Sequence, residues 1–244
     1  MRNVKLTIQY DGTDYQGWQI QAGGPTIQGE ITKVISMLDQ RPVTVHGAGR
    51  TDSGVHAEGQ VANCSLERDF PLTEFRDAIN GNLPRDIRVN DAEFVEDRFH
   101  ARIWAKQKTY RYQIYTGPVV SPFLYRYVHH VRAPLATDEM REAASRLLGC
   151  HDFSAFAGGG GDVSNFVRTL NRLDIDVEPD RILITASANG FLRYMVRTIV
   201  GTLIDVGRQR RSAESLSDVL DSRDRGQAGL TAPAAGLTLV RVDY

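Results

Sequence analysis

Between residues 6 and 95 the hydrophobic period changes from 2 to 3.6 and back, twice, and nothing else in the chain constrains the fold as tightly. Leu6, Ile8 and Tyr10 alternate as in a half-buried strand, and Thr26 then precedes a helical face of Ile27, Ile31, Val34, Ile35 and Leu38 that it is placed to cap. Strands are predicted over Val43 to Gly47 and Gln60 to Leu66. A second helix, carried by Leu72, Phe75, Ala78 and Ile79, is expected to stop at Asn80-Gly81, and a strand from Ile87 to Val95 completes the set. The order β-α-β-β-α-β is that of a ferredoxin-like unit, as in many RNA-binding domains.

The second half repeats this layout without repeating the sequence. An alternating run from Lys108 to Tyr115 is followed by a helix with Thr137 as its cap (Met140, Ala143, Ala144, Leu147), and then by strands near Leu173 to Val177 and Ile182 to Ala186. A strongly apolar helix from about Phe191 to Val206, a surface helix after Ser212 and a closing strand from Leu237 to Val242 finish the chain. The expected fold is therefore α+β. Two ferredoxin-like (RRM-like) units, residues 1–105 and 106–244, would form one extended, mainly antiparallel sheet with helices on one face and a central active-site cleft.

Composition removes several function classes. The 244 residues carry a net charge of −1, which argues against holding nucleic acid by bulk charge. Cys64 and Cys150 are far apart, and no Cys or His set has zinc-ligand spacing, so both are expected as small buried hydrophobes, with no metal and no disulfide. The longest apolar run, around Val196 to Ile204, is interrupted by Arg197, Thr198, Gly201 and Thr202 and falls well short of the ~20 residues of a membrane span. The N-terminus has no apolar secretory block, and the expected location is the cytoplasm. Gly158 to Gly161 lacks the Gly-Lys-Ser/Thr ending of a phosphate-binding loop and is expected to be a flexible connection, so ATP is not implied.

Charge is nevertheless unevenly distributed. From Arg98 to Thr137 there is no acid, while Arg98, Arg102, Lys106, Lys108, Arg111, Arg126 and Arg132 are interleaved with eight aromatic residues. Cations that neutralise phosphates beside rings that stack bases are what single-stranded RNA recognition uses. The same pattern also suits strands whose rings face a core and whose cations are solvated.

The chemistry concentrates at Gly47-Ala-Gly-Arg-Thr-Asp-Ser-Gly-Val-His-Ala57, a glycine-rich turn that exposes an acid, a cation and a histidine after a strand. Taken by itself, such a turn could simply have Asp52 capping the local backbone with Arg50 paired on the surface. Gly49-Arg-Thr-Asp-Ser-Gly-Val-His-Ala57, however, resembles the signature around the catalytic aspartate of the tRNA pseudouridine synthases that act on the anticodon stem-loop. The resemblance continues through Tyr10-Asp-Gly-Thr-Asp-Tyr-Gln-Gly-Trp-Gln19, Thr26-Ile-Gln28, Phe99-His-Ala-Arg102, Lys108-Thr-Tyr-Arg-Tyr112, Phe191-Leu-Arg-Tyr-Met-Val-Arg197, Ile199-Val-Gly-Thr-Leu203 and Ala232-Pro-Ala-Ala-Gly-Leu237.

That resemblance implies Asp52 as the catalytic carboxylate, Tyr110 against the target base, Arg197 paired with the aspartate, Arg50 helping to extrude the nucleotide and Leu237 as an apolar pocket wall. It further implies a tRNA partner, uridines at positions 38, 39 and 40, and a homodimer. Thr238, where an aromatic is frequent, and Ile103-Trp104, where smaller or polar residues are common, depart from the family pattern. The reaction is compatible with this inventory: turning uridine into its C-glycoside is redox-neutral and transfers no external group, so no cofactor is needed, only an ionised carboxylate acting as nucleophile or base. A guanidinium at ~4 Å favours that ionised form by roughly 4 kcal/mol at an effective dielectric of about 20. Arg193, expected one turn before Arg197 on the same helix face, would be either solvated or a phosphate contact. His56 is expected to be structural, Glu58 a surface residue, and Trp18 and Gln19 to pack beneath the loop. Two other readings remain at this point: a non-catalytic RNA-binding protein, and a hydrolase, which normally needs a second carboxylate.

Overall fold

The computed structural model describes residues 1–160 and 164–244, so Gly161 of the glycine run lies outside the described residues. The chain divides into two units, Met1–Lys106 with Leu239–Tyr244, and Gln107–Thr238. Both are α+β with antiparallel sheets.

The first unit holds β1 (Arg2–Tyr10), α1 (Ile27–Asp39), β2 (His46–Gly47), β3 (His56–Leu66), α2 (Leu72–Asn82) and β4 (Ile87–Val95). β1 lies between β4 and β3, and β2 adds to β3, which is the ferredoxin-like arrangement. Thr26 caps α1 by accepting from the Gly29 N–H, and Ile27, Ile31, Val34 and Ile35 are buried. The predicted strand over Val43 to Gly47 shrinks to two residues for an identifiable reason. The Val43 N–H donates to Ser36 Oγ and the Val45 carbonyl accepts from Gln28 Nε2, so α1 side chains take groups that a sheet would otherwise use.

The expected stop at Asn80-Gly81 is also corrected, since α2 runs on to Asn82 and ends before Pro84. Asn80 instead ties α2 to β4: its amide donates to the Val89 carbonyl and accepts from the Val89 N–H, each at 2.8 Å.

The second unit holds β5 (Gln107–Tyr115), β6 (His129–His130), α3 (Thr137–Ser145), β7 (Gly149–Asp152), β8 (Val167–Glu178), β9 (Arg181–Ala188), α4 (Met195–Gly207) and α5 (Ser215–Ser222). Its sheet runs β5-β9-β8-β7, all antiparallel, with β6 parallel on β5. Thr137 is the first residue of α3 rather than its cap; Ala136 holds that position and makes no side-chain bond. α4 begins at Met195, not near Phe191, because Tyr194 adopts a left-handed conformation (φ 62°) that helical backbone cannot continue through. The last strand, β10 (Leu237–Asp243), starts in the second unit and belongs to the first from Leu239 onward, where the Lys106 N–H bonds the Asp243 carbonyl.

Of the two cysteines only Cys64 is buried. Cys150, in the end strand β7, is exposed, contrary to expectation, while its neighbours in the strand are half-buried. No helix among the described residues is long and apolar enough to cross a membrane.

Candidate active site

Asp52 is half-buried in the loop between β2 and β3. Its carbonyl accepts from the Val55 N–H at 3.1 Å, closing a turn in which Gly54 takes φ 77°, a value that side chains disfavour. The loop is held on both sides of the aspartate. Before it, the Thr51 carbonyl accepts from the Trp18 N–H (3.1 Å) and the Thr51 hydroxyl pairs with the Tyr10 phenol (2.8 Å). After it, Ser53 Oγ and the Gly54 N–H both donate to the Tyr15 carbonyl, at 3.1 and 3.4 Å. The Tyr15 phenol donates in turn to Asp86 (2.7 Å). Further back, Gln60 Nε2 donates to the Gly49 carbonyl (3.0 Å).

The neighbours behave much as their chemistry suggests. Trp18 is buried, and its indole lies against Gly47 so closely that a Cβ there would come within 2.4 Å of the ring. Gln19 accepts from Nε of the exposed Arg50 at 3.2 Å. His56 is buried, accepts from the Gly12 N–H at Nδ1 and has Asp11 Oδ1 3.1 Å from the same nitrogen, so it ties the start of β3 to the end of β1. Glu58 is exposed.

The remaining predicted site residues belong to the second unit. Tyr110 is buried near the start of β5, paired in register with Ala186, and meets the Phe191 ring edge-on at 5.1 Å. Tyr112 and Ile114 share its face and are buried, which is the period-2 pattern of a core-facing strand. Arg197 lies in the first turn of α4 and is bracketed by Ala232, whose N–H donates to the Arg197 carbonyl (3.0 Å) while its own carbonyl accepts from Arg197 Nε (2.7 Å). The next carbonyl, that of Pro233, accepts from the Tyr112 phenol at 2.9 Å. Burial raises that phenol well above the ordinary tyrosine range, against a smaller lowering by the Arg197 charge, so it stays a neutral donor. The Ala232-Pro-Ala-Ala-Gly segment thus serves to set the helix start that carries Arg197. Leu237, just after it, is buried.

Arg193 needs correction. It precedes α4 rather than sharing a face with Arg197, and it lies over the Tyr194 ring (4.6 Å) with Nη1 on the Gly159 carbonyl (2.9 Å). Sequence reasoning also missed Thr51, Tyr15 and Gln60, whose partners lie 38 to 50 or, for Gln60 and Gly49, 11 residues away and leave no local signal. The aromatic-basic stretch divides: Phe99, Tyr110 and Tyr112 are buried, whereas Phe123 is 87% exposed, and Tyr125, with Arg126 over its ring at 5.9 Å, is exposed too.

A half-buried acid on a loop fixed from both sides suits covalent or general-base work, and among the described residues no group of three His, Cys, Asp or Glu could hold a metal ion. The sequence matches the family model for tRNA pseudouridine synthase over residues 6–102 and 143–244. It is 44% identical to tRNA pseudouridine synthase A 2 of Clostridium perfringens over 244 residues, all of both chains. It is also 44% identical to tRNA pseudouridine synthase A of Moorella thermoacetica (99% of each chain) and 45% identical to that of Ruminiclostridium cellulolyticum (all of each chain). The chain belongs to the tRNA pseudouridine synthase family.

Membership makes it an isomerase acting on uridine in tRNA, and neither a non-catalytic binder nor a hydrolase is favoured. Arg50, Asp52, Arg197 and Leu237 fall within the two stretches matched by the family model, whereas Tyr110 falls between them. The departures from the family pattern are placed differently: Thr238 is buried, Ile103 is exposed, and Trp104 packs edge-on against Phe99 at 5.5 Å.

Proposed function

We propose that this chain converts uridine to pseudouridine at positions 38, 39 and 40 of the tRNA anticodon stem-loop, with Asp52 as the nucleophile and no cofactor. The observation that carries the reading is the Asp52 turn, in which a half-buried carboxylate is held by hydrogen bonds at the residues on either side of it. Arg197 supplies the positive charge that keeps the carboxylate ionised, Tyr110 receives the base, Leu237 bounds the pocket, and Arg50 assists extrusion.

The steps balance without any other reactant. Asp52 adds, the N1–C1′ bond breaks, the uracil turns, the C5–C1′ bond forms, C5 gives up a proton, N1 gains one, and the carboxylate is released unchanged. Everting the nucleotide costs a few kcal/mol, of which stacking returns ~1–3 kcal/mol. The balance is smaller at a loop-proximal uridine than inside a duplex, which supports the anticodon stem-loop as substrate. The exposed rings of Phe123 and Tyr125, the latter under Arg126, supply stacking surface and charge for RNA outside the pocket. The family resemblance supports a homodimer working in the cytoplasm.

The test is to incubate unmodified tRNA with the wild-type chain and with Asp52→Asn and to separate the nucleosides after digestion. Pseudouridine is expected with wild type only. Free uracil would mean hydrolysis, and unchanged uridine with retained tRNA binding would mean a binder.

A further inference from the structure

We propose that the buried hydroxyl pair of Tyr10 and Thr51 positions Asp52 for catalysis; the inference rests on Asp52 being the reacting residue. Tyr10 is the last residue of β1 and is almost wholly buried, as is Thr51, and their oxygens are 2.8 Å apart. Burial pushes the Tyr10 phenol up to about 12, so it remains a neutral hydroxyl throughout the working range. Gln60 Nε2, 3.4 Å from the phenol oxygen, links the pair to the Gly49 carbonyl.

Gly17 (φ 87°) packs against the loop backbone on both sides of the Asp52 Cα, at the Thr51 carbonyl oxygen and at the Asp52–Ser53 peptide. A Cβ at Gly17 would come within 2.5 Å of the Thr51 oxygen and 3.0 Å of the Asp52 carbonyl carbon, both of them backbone atoms that cannot swing aside. The backbone that sets the direction of the Asp52 side chain is thus fixed in two ways, by the close packing of Gly17 and by a hydroxyl latch on the preceding residue.

Stability does not by itself call for such a latch. Replacing both members of a buried hydroxyl pair by apolar groups of the same shape is close to neutral, because neither partner is left unsatisfied, and Gln60 Nε2, which loses only the longer of its two contacts, keeps the Gly49 carbonyl at 3.0 Å. A Phe at 10 and a Val at 51 would fill the same space but would no longer fix the rotation of the threonine side chain and the peptide next to it. Displacement of a reacting group by about 1 Å costs on the order of 10²-fold in rate, so the polar pair acts on turnover rather than on folding.

The experiment compares wild type, Thr51→Val, Thr51→Ser and the double variant Tyr10→Phe/Thr51→Val in pseudouridine formation on tRNA, with rates expressed per folded molecule and the melting temperature measured alongside. The expected result is a fall in kcat of roughly 10- to 100-fold for Thr51→Val and for the double variant. KM should be unchanged, the double variant should melt close to wild type, and kcat should be largely retained in Thr51→Ser, which keeps the hydroxyl. Wild-type kcat in the double variant, or a Thr51→Ser as slow as Thr51→Val, would overturn the positioning role. The reading of Asp52 fails by a different result, an active Asp52→Asn, and the proposed activity fails by an inactive wild type.

Discussion

Asn63→Ala should destabilise the first unit by about 3–4 kcal/mol, and the figure follows from its surroundings. Asn63 is buried in β3, and its amide bridges three groups: it donates to Asn3 Oδ1 (3.0 Å) and to the Phe99 carbonyl (3.3 Å) and accepts from the Ala101 N–H (2.9 Å). Alanine removes all three bonds. The Phe99 carbonyl keeps the Asn3 amide at 2.9 Å, but the Ala101 N–H and Asn3 Oδ1 are left buried and unsatisfied at roughly 1–3 kcal/mol each.

The loss is a large fraction of the ~5–15 kcal/mol that stabilises a typical domain. Both tryptophans, Trp18 and Trp104, belong to this unit, and Trp104 packs on Phe99, so urea unfolding followed by intrinsic fluorescence reads the affected segment directly. A loss under about 1 kcal/mol, with native Trp104 emission unchanged, would refute the claim that the buried amide pair anchors residues 99–101.

Other predictions concern thiols and charge. Cys150 should react at once with a thiol reagent at pH 8 while Cys64 reacts only in denaturant, because Cys64 is buried and burial pushes its thiol up to about 12; two fast thiols in the native protein would contradict this. The same shift has a definite sign in stability. A thiol kept protonated in the fold but able to ionise near pH 9 when unfolded contributes stability below pH 9 that is lost as pH rises toward 12. Cys64→Ala should therefore flatten the alkaline loss relative to wild type in unfolding curves taken across that range. On the proposed role of Arg197, its replacement by Met should lower kcat/KM for pseudouridine formation on tRNA by at least about 10-fold, on the order of one lost charge-assisted contact; an unchanged kcat/KM would remove Arg197 from the proposed site.

What was legible in the sequence was whatever depends on near neighbours. The period switches along residues 6–95 predict the ferredoxin-like order, and the Gly49-Arg-Thr-Asp-Ser-Gly54 turn predicts an acid presented on a loop, because glycine and aspartate act through their own backbone. Long-range competition was not legible. Ser36 and Gln28 read as ordinary helix residues, yet they take the backbone groups of Val43 and Val45 and cut a strand to two residues. The apolar run before Arg197 reads as continuous helix, whereas Tyr194 breaks it and sends Arg193 to the Gly159 carbonyl. Likewise, nothing beside Gln60 or Tyr15 in the chain announces that they hold the Asp52 loop.

Every proposed role in the site depends on the Asp52 carboxylate making pseudouridine. An anticodon-arm RNA with uridines at 38, 39 and 40, treated with wild type or Asp52→Asn without ATP and with a chelator present, tests it most directly. Pseudouridine is expected at those positions from wild type and none from a folded Asp52→Asn that still binds the RNA; equal conversion by the two proteins would rule out the carboxylate.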